Sequence, residues 1–341
     1  MDVQKICVIH LNQIGDLVFS LPLLKALRDN FPASKIHSIL RPYLQELLSH
    51  SPFVDELIPR KSGFQETLKL LGKVRETHYD LLVTLSNSPG GLFLATWSGA
   101  KIKAGFKRFP WDLGLDIKAQ VEGHHSWYNN LKLLRGLSLE VKKGDYVGLL
   151  TLPTADPSQR LARPAAALPR GRYVVVAAGT SVRRGVKAWE EKKFGELLLR
   201  LKEDFGLEPV LVGGEGDRVV NDRVIGSIRT LDPHRSLNSI LNLAGRIGLV
   251  ELCSVMKEAR LFVGVDSGIM HLASALDIPV VGIFGPTDPF YVGPLNKKSV
   301  VVREEGLDCM PCYLKGCEER KCLRGLGVTK VFQACEQVLV S

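Results

Sequence analysis

An aspartate stands at the start of the first predicted helix. The segment 12–16, Asn-Gln-Ile-Gly-Asp, lies between a short apolar run at 6–10 and a helical pattern at 17–30. Gly15 allows a tight turn and a close approach of the backbone to a ligand. Asp16 has two interpretations: an N-cap that accepts hydrogen bonds from the first helical N–H groups, or a general base at the edge of a sheet. Residue type alone favours the cap.

A basic loop follows the strand predicted at 173–178. It spans 178–189 and contains Thr180, Arg183, Arg184 and Lys187. Its two glycines are separated by five residues and Lys187 does not directly follow the second, so the loop is not a P-loop. Cationic side chains at the carboxyl end of a strand suit a phosphate-bearing ligand. The alternative is a solvated surface loop.

A third segment, 263–273, combines a strand end with a helix start. The strand predicted at 261–265 ends at Asp266, and a helix begins around Ser267 and Gly268, with Ile269 in its first turn. Backbone N–H groups and a hydroxyl at such a position suit a phosphate. His271 lies one turn further along and is expected on the same face. A single helical histidine is more often a packed residue, but its neighbours here favour a binding role.

Two further turns are interpreted as structural. The segment 282–289 is a strand followed by a Gly-Pro turn. The segment 212–217, Val-Gly-Gly-Glu-Gly-Asp, lacks the spacing of a dinucleotide-binding fingerprint.

Four of the seven cysteines cluster near the C-terminus. Cys309, Cys312, Cys317 and Cys322 have the spacing C-x2-C-x4-C-x4-C. Zinc ribbons usually have two close pairs separated by a longer loop, which this spacing lacks. We therefore predict no metal and keep a four-thiolate zinc or iron–sulfur site as the alternative.

A basic and aromatic stretch lies in the first half of the chain. Phe106, Phe109 and Trp111 alternate there with Lys101, Lys103, Lys107 and Arg108. The stretch is predicted to bind an anionic acceptor or to rest on an anionic membrane surface. The alternative is an exposed loop with extended lysines.

Two successive βα arrays must position these residues. Strands are predicted at 6–10, 35–40, 54–58 and 79–85, with helices between them. After a proline-rich linker at 151–172 the alternation restarts, with strands at 173–178, 209–212, 261–265 and 279–284. This pattern predicts an α/β fold of two Rossmann-like domains that face each other across a cleft, with ligands beyond the carboxyl ends of the strands. The predicted limits are 1–160, 161–325 and a C-terminal helix at 326–341 that packs back on the first domain.

Composition limits the class of protein. The 341 residues are 45% apolar and 24% charged, with a net charge of +9, which indicates globular domains and excludes disorder. The basic excess is spread along the chain, so we expect no nucleic acid as a partner. No apolar run reaches the ~18 residues of a membrane-spanning helix, and the N-terminus has no signal-peptide pattern. These features predict a cytoplasmic location. Oligomeric state is not readable from the sequence.

Together the motifs resemble those of the ADP-heptose:lipopolysaccharide heptosyltransferases. The resemblance covers nearly the whole chain and is carried by the order and spacing of 14–16, 21–22, 187–189, 213–214, 243–245, 266–273 and 284–287. It implies a GT-B fold with an N-terminal acceptor domain and a C-terminal ADP-sugar domain. It also implies transfer of heptose from ADP-heptose to the lipopolysaccharide inner core, on Kdo or an earlier heptose, at the inner membrane surface, with no cofactor required.

The resemblance also assigns roles to residues. Asp16 would be the base of an inverting displacement, and Lys187 would contact the donor phosphates. Asp266, Ser267, Gly268 and His271 would line the donor pocket together with Thr180 and Ile269, and Glu215 or Asp217 would lie near the nucleoside. Ser267 stands where the family often has threonine, which retains the hydroxyl. The alternatives are a related transferase or epimerase that uses another nucleotide sugar, and a non-catalytic nucleotide-sugar-binding protein.

Overall fold

The chain folds around two separate sheets. The computed structural model describes residues 3–141, 144–153, 170–180, 182–233, 240–313 and 316–340, with the backbone alone at 182–184. Contacts divide the chain into two compact units, Met1–Pro153 and Thr154–Ser341. The predicted linker lies largely at 154–169, outside the described residues, and the predicted domain limits at 160 and 325 stay predictions.

The first unit alternates strands with helices. Its strands are β1 (Lys5–Ile9), β2 (Lys35–Leu40), β3 (Glu56–Pro59), β4 (Leu81–Thr84), β5 (Ile102–Phe106) and β6 (Ile117–Ala119). Its helices are α1 (Ile14–Asn30), α2 (Gln45–Leu48), α3 (Phe64–Thr77), α4 (Pro89–Trp97) and α5 (Ser126–Gly136). A short 3-10 turn, Pro42–Leu44, precedes α2.

The second unit repeats this alternation. Its strands are β7 (Tyr173–Ala177), β8 (Glu208–Leu211), β9 (Leu241–Asn242), β10 (Leu261–Val265), β11 (Val280–Phe284) and β12 (Ser299–Arg303). Its helices are α6 (Glu191–Phe205), α7 (Arg218–Leu231), α8 (Leu249–Lys257), α9 (Gly268–Ala275), α10 (Pro289–Val292), α11 (Lys321–Arg324) and α12 (Val328–Val340).

Both sheets are parallel and share one topology. The strand order is β3-β2-β1-β4-β5-β6 in the first unit and β12-β11-β10-β7-β8-β9 in the second. Counted within each unit, both orders are 3-2-1-4-5-6, the doubly wound order in which the chain reverses direction beside the first strand. The reversal lies between β1 and β4 in one sheet and between β7 and β10 in the other. The predicted fold of two Rossmann-like domains is confirmed.

The burial pattern explains why these segments form central strands. Every residue of β7, β10 and β11 is buried, as continuous Val- and Ile-rich runs covered on both faces require. Helix α6 presents the predicted apolar stripe, with Phe194, Leu197, Leu198 and Leu201 buried in the core of its unit. This alternation of fully buried strands with one-sided helices fixes which chain segments emerge at the carboxyl edge of each sheet.

The C-terminal helix belongs to the second unit. Helix α12 packs against α6, β11 and β12, and Val331, Phe332 and Cys335 lie in that unit's core. The indole Nε1 of Trp189 donates a hydrogen bond to the carbonyl of Leu326, 3.1 Å away, which ties the end of the basic loop to the segment before α12. Packing of this helix on the first domain stays a prediction.

Several half-buried elements were not predicted from the sequence. Residues 102–106 form strand β5 rather than a loop, because its outer position leaves Ile102 and Lys103 only partly buried and no continuous apolar run marks it. Helices α4 and α5 and strands β6, β9 and β12 were also not predicted. Within the described segments, no helix has both the length and the apolar character needed to cross a bilayer.

Candidate functional site

The predicted phosphate-binding residues meet at the reversal point of the second sheet. Lys187 ends a 3-10 turn, Val182–Lys187, that follows β7. Asp266 directly follows β10, the strand that pairs with β7. Because the two strands are neighbours whose connections leave toward opposite sides, their carboxyl ends open a crevice, which is where sheets of this topology bind ligands.

A buried ion pair closes the floor of this crevice. The ammonium of Lys187 donates a hydrogen bond to Oδ2 of Asp266, and the two residues are only 6% and 7% exposed. The hydroxyl of Thr287 donates to the same oxygen at 2.6 Å. Nε2 of His271 lies 3.9 Å from Oδ1. Three loops, after β7, β10 and β11, are therefore held by one carboxylate.

Asp266 is a fixed negative charge. Burial alone would raise the pKa of its carboxyl, but the charges of Lys187 and His271 and the hydrogen bonds to the carboxylate outweigh burial, and the pKa lies below its ordinary value. A carboxylate with a lowered pKa accepts protons poorly. Its role in the arrangement is to orient Lys187, Thr287 and His271.

The helix beside this pair begins with open donors. Ser267 is the N-cap of α9 and has no side-chain capping hydrogen bond. Within the described chain, its Oγ atom is buried without a hydrogen-bond partner. The first N–H groups of a helix have no intrahelical acceptor, and Gly268 and Ile269 supply the first two here. A buried hydroxyl, N–H groups and the Lys187 ammonium together suit an anion.

An acidic turn adjoins the same edge of the sheet. A Cβ atom on Gly179 would overlap the Asp217 carboxylate, and glycine there lets the turn after β8 approach the end of β7. Burial raises the pKa of the Asp217 carboxyl, although the N–H of Gly214 donates to it at 2.8 Å. Glu215 is exposed beside it. Carboxylates in this place are suited to ribose hydroxyls.

Most of the predicted donor residues are brought together, and one was missed. Lys187, Asp266, Ser267, Gly268, Ile269 and His271 share the site, and Thr180 lies half-buried after β7. The side chains of Arg183 and Arg184 lie outside the described part of the chain. Thr287 lies in the predicted turn, but it is also buried and bonded to Asp266, a contact that was not predicted. Its position shortly after β11, which is the neighbour of β10, could have indicated this contact.

Asp16 lies in the first turn of α1, not at its cap. Gln13 occupies the N-cap position without a side-chain capping bond, so the N-cap interpretation of Asp16 is wrong. Asp16 is half-exposed, after β1 and hence at the reversal point of the first sheet. The hydroxyl of Tyr43 donates to the carbonyl of Asn12. Burial and the negative charge of Asp16 raise the pKa of Tyr43, against the opposing charge of Arg41.

Two further arginines lie at the carboxyl edge of the first sheet. Neither was predicted as a site residue. Arg41 follows β2 and donates to Ser62 Oγ at 2.7 Å. Arg60 follows β3; burial and the charge of Arg41 lower the pKa of its guanidinium. Its Nη1 atom is buried and has no hydrogen-bond partner among the described residues. A half-buried guanidinium beside a second one, with an unused donor, is suited to an anion.

The predicted basic stretch is split by strand β5. Lys101 precedes β5, at the amino edge of the sheet, and its ammonium is 2.7 Å from Asp80. Lys103 lies within β5, and its ammonium is 3.8 Å from Asp116. Lys107 and Arg108 follow β5 at the carboxyl edge, and Arg108 donates to the carbonyl of Asn87. Only these last two share an edge with Asp16.

The four clustered cysteines differ in their exposure. Cys309 and Cys317 are exposed, Cys312 is half-buried and Cys322 is buried. In the part of the chain that the structure describes, no three His, Cys, Asp or Glu side chains are arranged to hold a metal ion. The segment instead contacts the site, since the N–H of Cys312 donates to the carbonyl of Pro286 at 3.1 Å.

Removal of Lys187 should destabilise the second unit. Lys187→Met leaves the Asp266 carboxylate buried without its cation, and we expect the free energy of unfolding to fall by about 3–5 kcal/mol. The pair contributes stability above the ordinary pKa of an aspartate and loses it as pH falls through the lowered pKa. The loss in Lys187→Met should therefore shrink on acidification, because Asp266 then becomes neutral. Urea unfolding at several pH values measures this.

A double variant and a surface pair provide the controls. Lys187→Met combined with Asp266→Asn should recover much of the lost stability, because a neutral amide replaces the unpaired charge. Lys202→Met breaks a partly exposed pair with Glu208 at 3.0 Å and should cost about 0–1 kcal/mol. Equal stability of the single and double Lys187 variants would contradict the coupling.

Comparison with known proteins identifies the family of the chain. The family model "Glycosyltransferase family 9 (heptosyltransferase)" matches residues 67–323. The chain is 26% identical over 317 residues to lipooligosaccharide heptosyltransferase 2 of Haemophilus ducreyi, covering 88% of each. It is similar to the structure of E. coli ADP-heptose lps heptosyltransferase II (23% identity, 99% of each chain, TM-score 0.82) and of E. coli heptosyltransferase WaaC with ADP (21% identity, 98% and 100%, TM-score 0.74). The likeness confirms the predicted GT-B fold class, and the chain belongs to glycosyltransferase family 9, the heptosyltransferase family.

Proposed function

We propose that this enzyme transfers heptose from ADP-heptose to the inner core of lipopolysaccharide, on Kdo or an earlier heptose, with inversion at the anomeric carbon. The observation that carries the proposal is the Lys187–Asp266–Thr287 cluster beside the open N-terminus of α9, a site for a diphosphate in a member of family 9. The names of the relatives specify heptosyltransferases, and those of the two structures include ADP-heptose and ADP, which supports the choice of donor.

The donor is proposed to lie along the carboxyl edge of the second sheet. Its diphosphate is held by the N–H groups of Gly268 and Ile269, the Ser267 hydroxyl and Lys187. Its ribose lies toward Glu215 or Asp217, on the β8 side. As the anomeric bond breaks, negative charge grows on the diphosphate, and these donors stabilise it more in the transition state than in the ground state.

Asp16 is proposed as the base. Its carboxylate takes the proton of an acceptor hydroxyl as that oxygen forms a bond to the anomeric carbon. The bond from this carbon to the diphosphate oxygen breaks at the same time, and ADP leaves with the electron pair. One displacement inverts the configuration and needs no carboxylate nucleophile. The proposal requires Asp16 to come within reach of the sugar bound by the second unit.

The acceptor is proposed to be recognised through its negative charges. Arg41 follows β2 and Arg60 follows β3. The charge of Arg41 affects both Arg60 and Tyr43, and the charge of Asp16 raises the pKa of Tyr43. The buried unused donor of Arg60 has an energetic cost that a bound phosphate or carboxylate would relieve. Lys107 and Arg108, at the same edge, add charge.

We propose that the protein contacts the cytoplasmic face of the inner membrane through a surface next to these two basic residues. Phe109, Trp111 and Leu113, which we call the apolar tip, are 82%, 50% and 68% exposed. The turn is held from below by buried Asp112, whose carboxylate accepts the N–H of Arg108 at 2.9 Å. Exposed aromatics beside basic residues suit the interface of an anionic bilayer, where a lipid-linked acceptor is found.

Asp16→Asn should abolish most transfer without affecting donor binding. Loss of a general base lowers the rate by about 10²–10⁴-fold. Release of ADP in the presence of acceptor gives kcat, and titration with ADP gives donor-site affinity, which should not change. The control is Asp29→Asn in the last turn of the same helix, where Asp29 pairs with Lys25 at 2.6 Å. Transfer by Asp16→Asn within twofold of the wild type would exclude this base.

Arg60→Met should selectively weaken binding of the acceptor. We expect KM for a phosphorylated or Kdo-containing acceptor to rise about tenfold, equivalent to about 1.4 kcal/mol, with KM for ADP-heptose unchanged. Arg75→Met, an exposed position on α3, serves as control. A parallel rise of both KM values, or no change in the KM for the acceptor, would contradict the assignment.

The apolar tip should control binding to vesicles. A Phe109→Ser, Leu113→Ser double variant should sediment less with phosphatidylglycerol vesicles than the wild type, while keeping activity on a soluble acceptor fragment. Each nearby Lys or Arg contributes about 1 kcal/mol at an anionic surface, so binding should also fall with salt and in phosphatidylcholine. Val219→Ser, at another exposed apolar position (58%), is the control. Undiminished sedimentation of the double variant argues against this contact.

A further inference from the structure

Tyr313 spans the turn that holds the ion pair. Its backbone N–H donates to the carbonyl of Pro286 at 3.0 Å, and its hydroxyl accepts the N–H of Asp288 at 3.4 Å. Between these two points lies Thr287, whose hydroxyl is bonded to Asp266. The tyrosine is thus attached on both sides of the residue that contacts the central carboxylate.

The backbone conformation of Tyr313 is unusual for a residue with a side chain, and burial of the ring does not explain it. Its φ of +52° is in the left-handed region that favours glycine. Its side chain is 52% exposed, so packing does not account for this conformation. Backbone strain of this kind is concentrated at ligand-binding positions, where the side chain must be presented at one particular place.

The hydroxyl of Tyr313 lies beside the turn that contains Thr287, because it accepts the N–H of Asp288. Burial raises the pKa of its hydroxyl, and so do the charges of Asp288 and Asp266 and the nearby Tyr291, against the hydrogen bond from Asp288. The Thr287 turn is bonded both to Asp266 and, through the N–H of Asp288, to this hydroxyl.

Strand order assigns Tyr313 to one side of the diphosphate. In the sequence β11-β10-β7-β8, the turn after β11 and the acidic turn after β8 lie on opposite sides of the N-terminus of α9. In a nucleotide sugar that extends along the sheet edge, with its diphosphate at α9 and its ribose toward Asp217, the sugar lies on the β11 side, which is the side of Tyr313. An aromatic ring with a hydroxyl at its edge can both cover an apolar face of a sugar and hydrogen-bond to its hydroxyls.

We propose that Tyr313 is a specificity-determining residue that contacts the sugar of the donor. This inference rests on the proposed function, because it takes the orientation of ADP-heptose from it. The contact distinguishes a nucleotide sugar from the free nucleotide, and its contribution is absent for ADP alone.

Binding of two ligands to four variants tests the inference. Calorimetric titration of Tyr313→Ala and Tyr313→Gly with ADP-heptose should show Kd raised about tenfold, the size expected for loss of an aromatic contact. Tyr313→Phe, which keeps the ring, should show a rise of about threefold, as expected for one hydrogen bond. The Kd for ADP should stay within about twofold of the wild type in all three. The fourth variant, His78→Gly, is a control with φ of +53° in the first unit and should leave both Kd values unchanged.

Stability separates a binding role from a structural one. Because glycine adopts a positive φ readily, Tyr313→Gly should melt no lower than Tyr313→Ala, although both lose donor affinity. Unchanged Kd for ADP-heptose, or an equal rise for ADP, would overturn the inference while leaving the proposed donor intact. Wild-type protein that binds ADP but not ADP-heptose would overturn the proposed donor, and this inference with it.

Discussion

Asp266 is a carboxylate that has lost nearly all contact with water, and its burial is tolerated because the ammonium of Lys187 is buried with it. Such a pair is held together by strong attraction at low dielectric, but the cost of removing both charges from water is of similar size. Its value therefore lies in geometry. Neither charge can move without exposing the other, so the loops after β7, β10 and β11 are fixed relative to one another before a ligand arrives.

This geometry prepares the crevice for an anion. Lys187 already neutralises the charge of Asp266, and His271 lies close to the same carboxylate. The N-terminus of α9 beside this pair therefore keeps its attraction for negative charge. The Ser267 hydroxyl, buried and not engaged as a cap, has a donor to offer there. Preorganised donors need no reorganisation when charge develops on a leaving group, which is the usual origin of large electrostatic catalysis.

The sequence identifies those parts of the site that are contiguous along the chain. The buried runs of β2 and β10 were predicted with the boundaries that the structure has, and Asp266 through His271 follow from one strand and one helix start. Thr287 and Arg60 were not found, because their importance depends on which strands are neighbours. Strand order follows from a reversal of direction beside β1 and β7, and no local pattern records it. The half-buried strand β5 was missed because periodicity weakens away from the centre of a sheet.

The state of Asp266 also limits where a catalytic base can come from. A base works best with a pKa near the working pH, whereas the pKa of Asp266 is lowered and its Oδ2 accepts two hydrogen bonds. If the base is instead Asp16, on the other unit, the donor can bind to the second unit without meeting a group that activates water. A base that is absent from the donor's own unit would protect an activated sugar from hydrolysis.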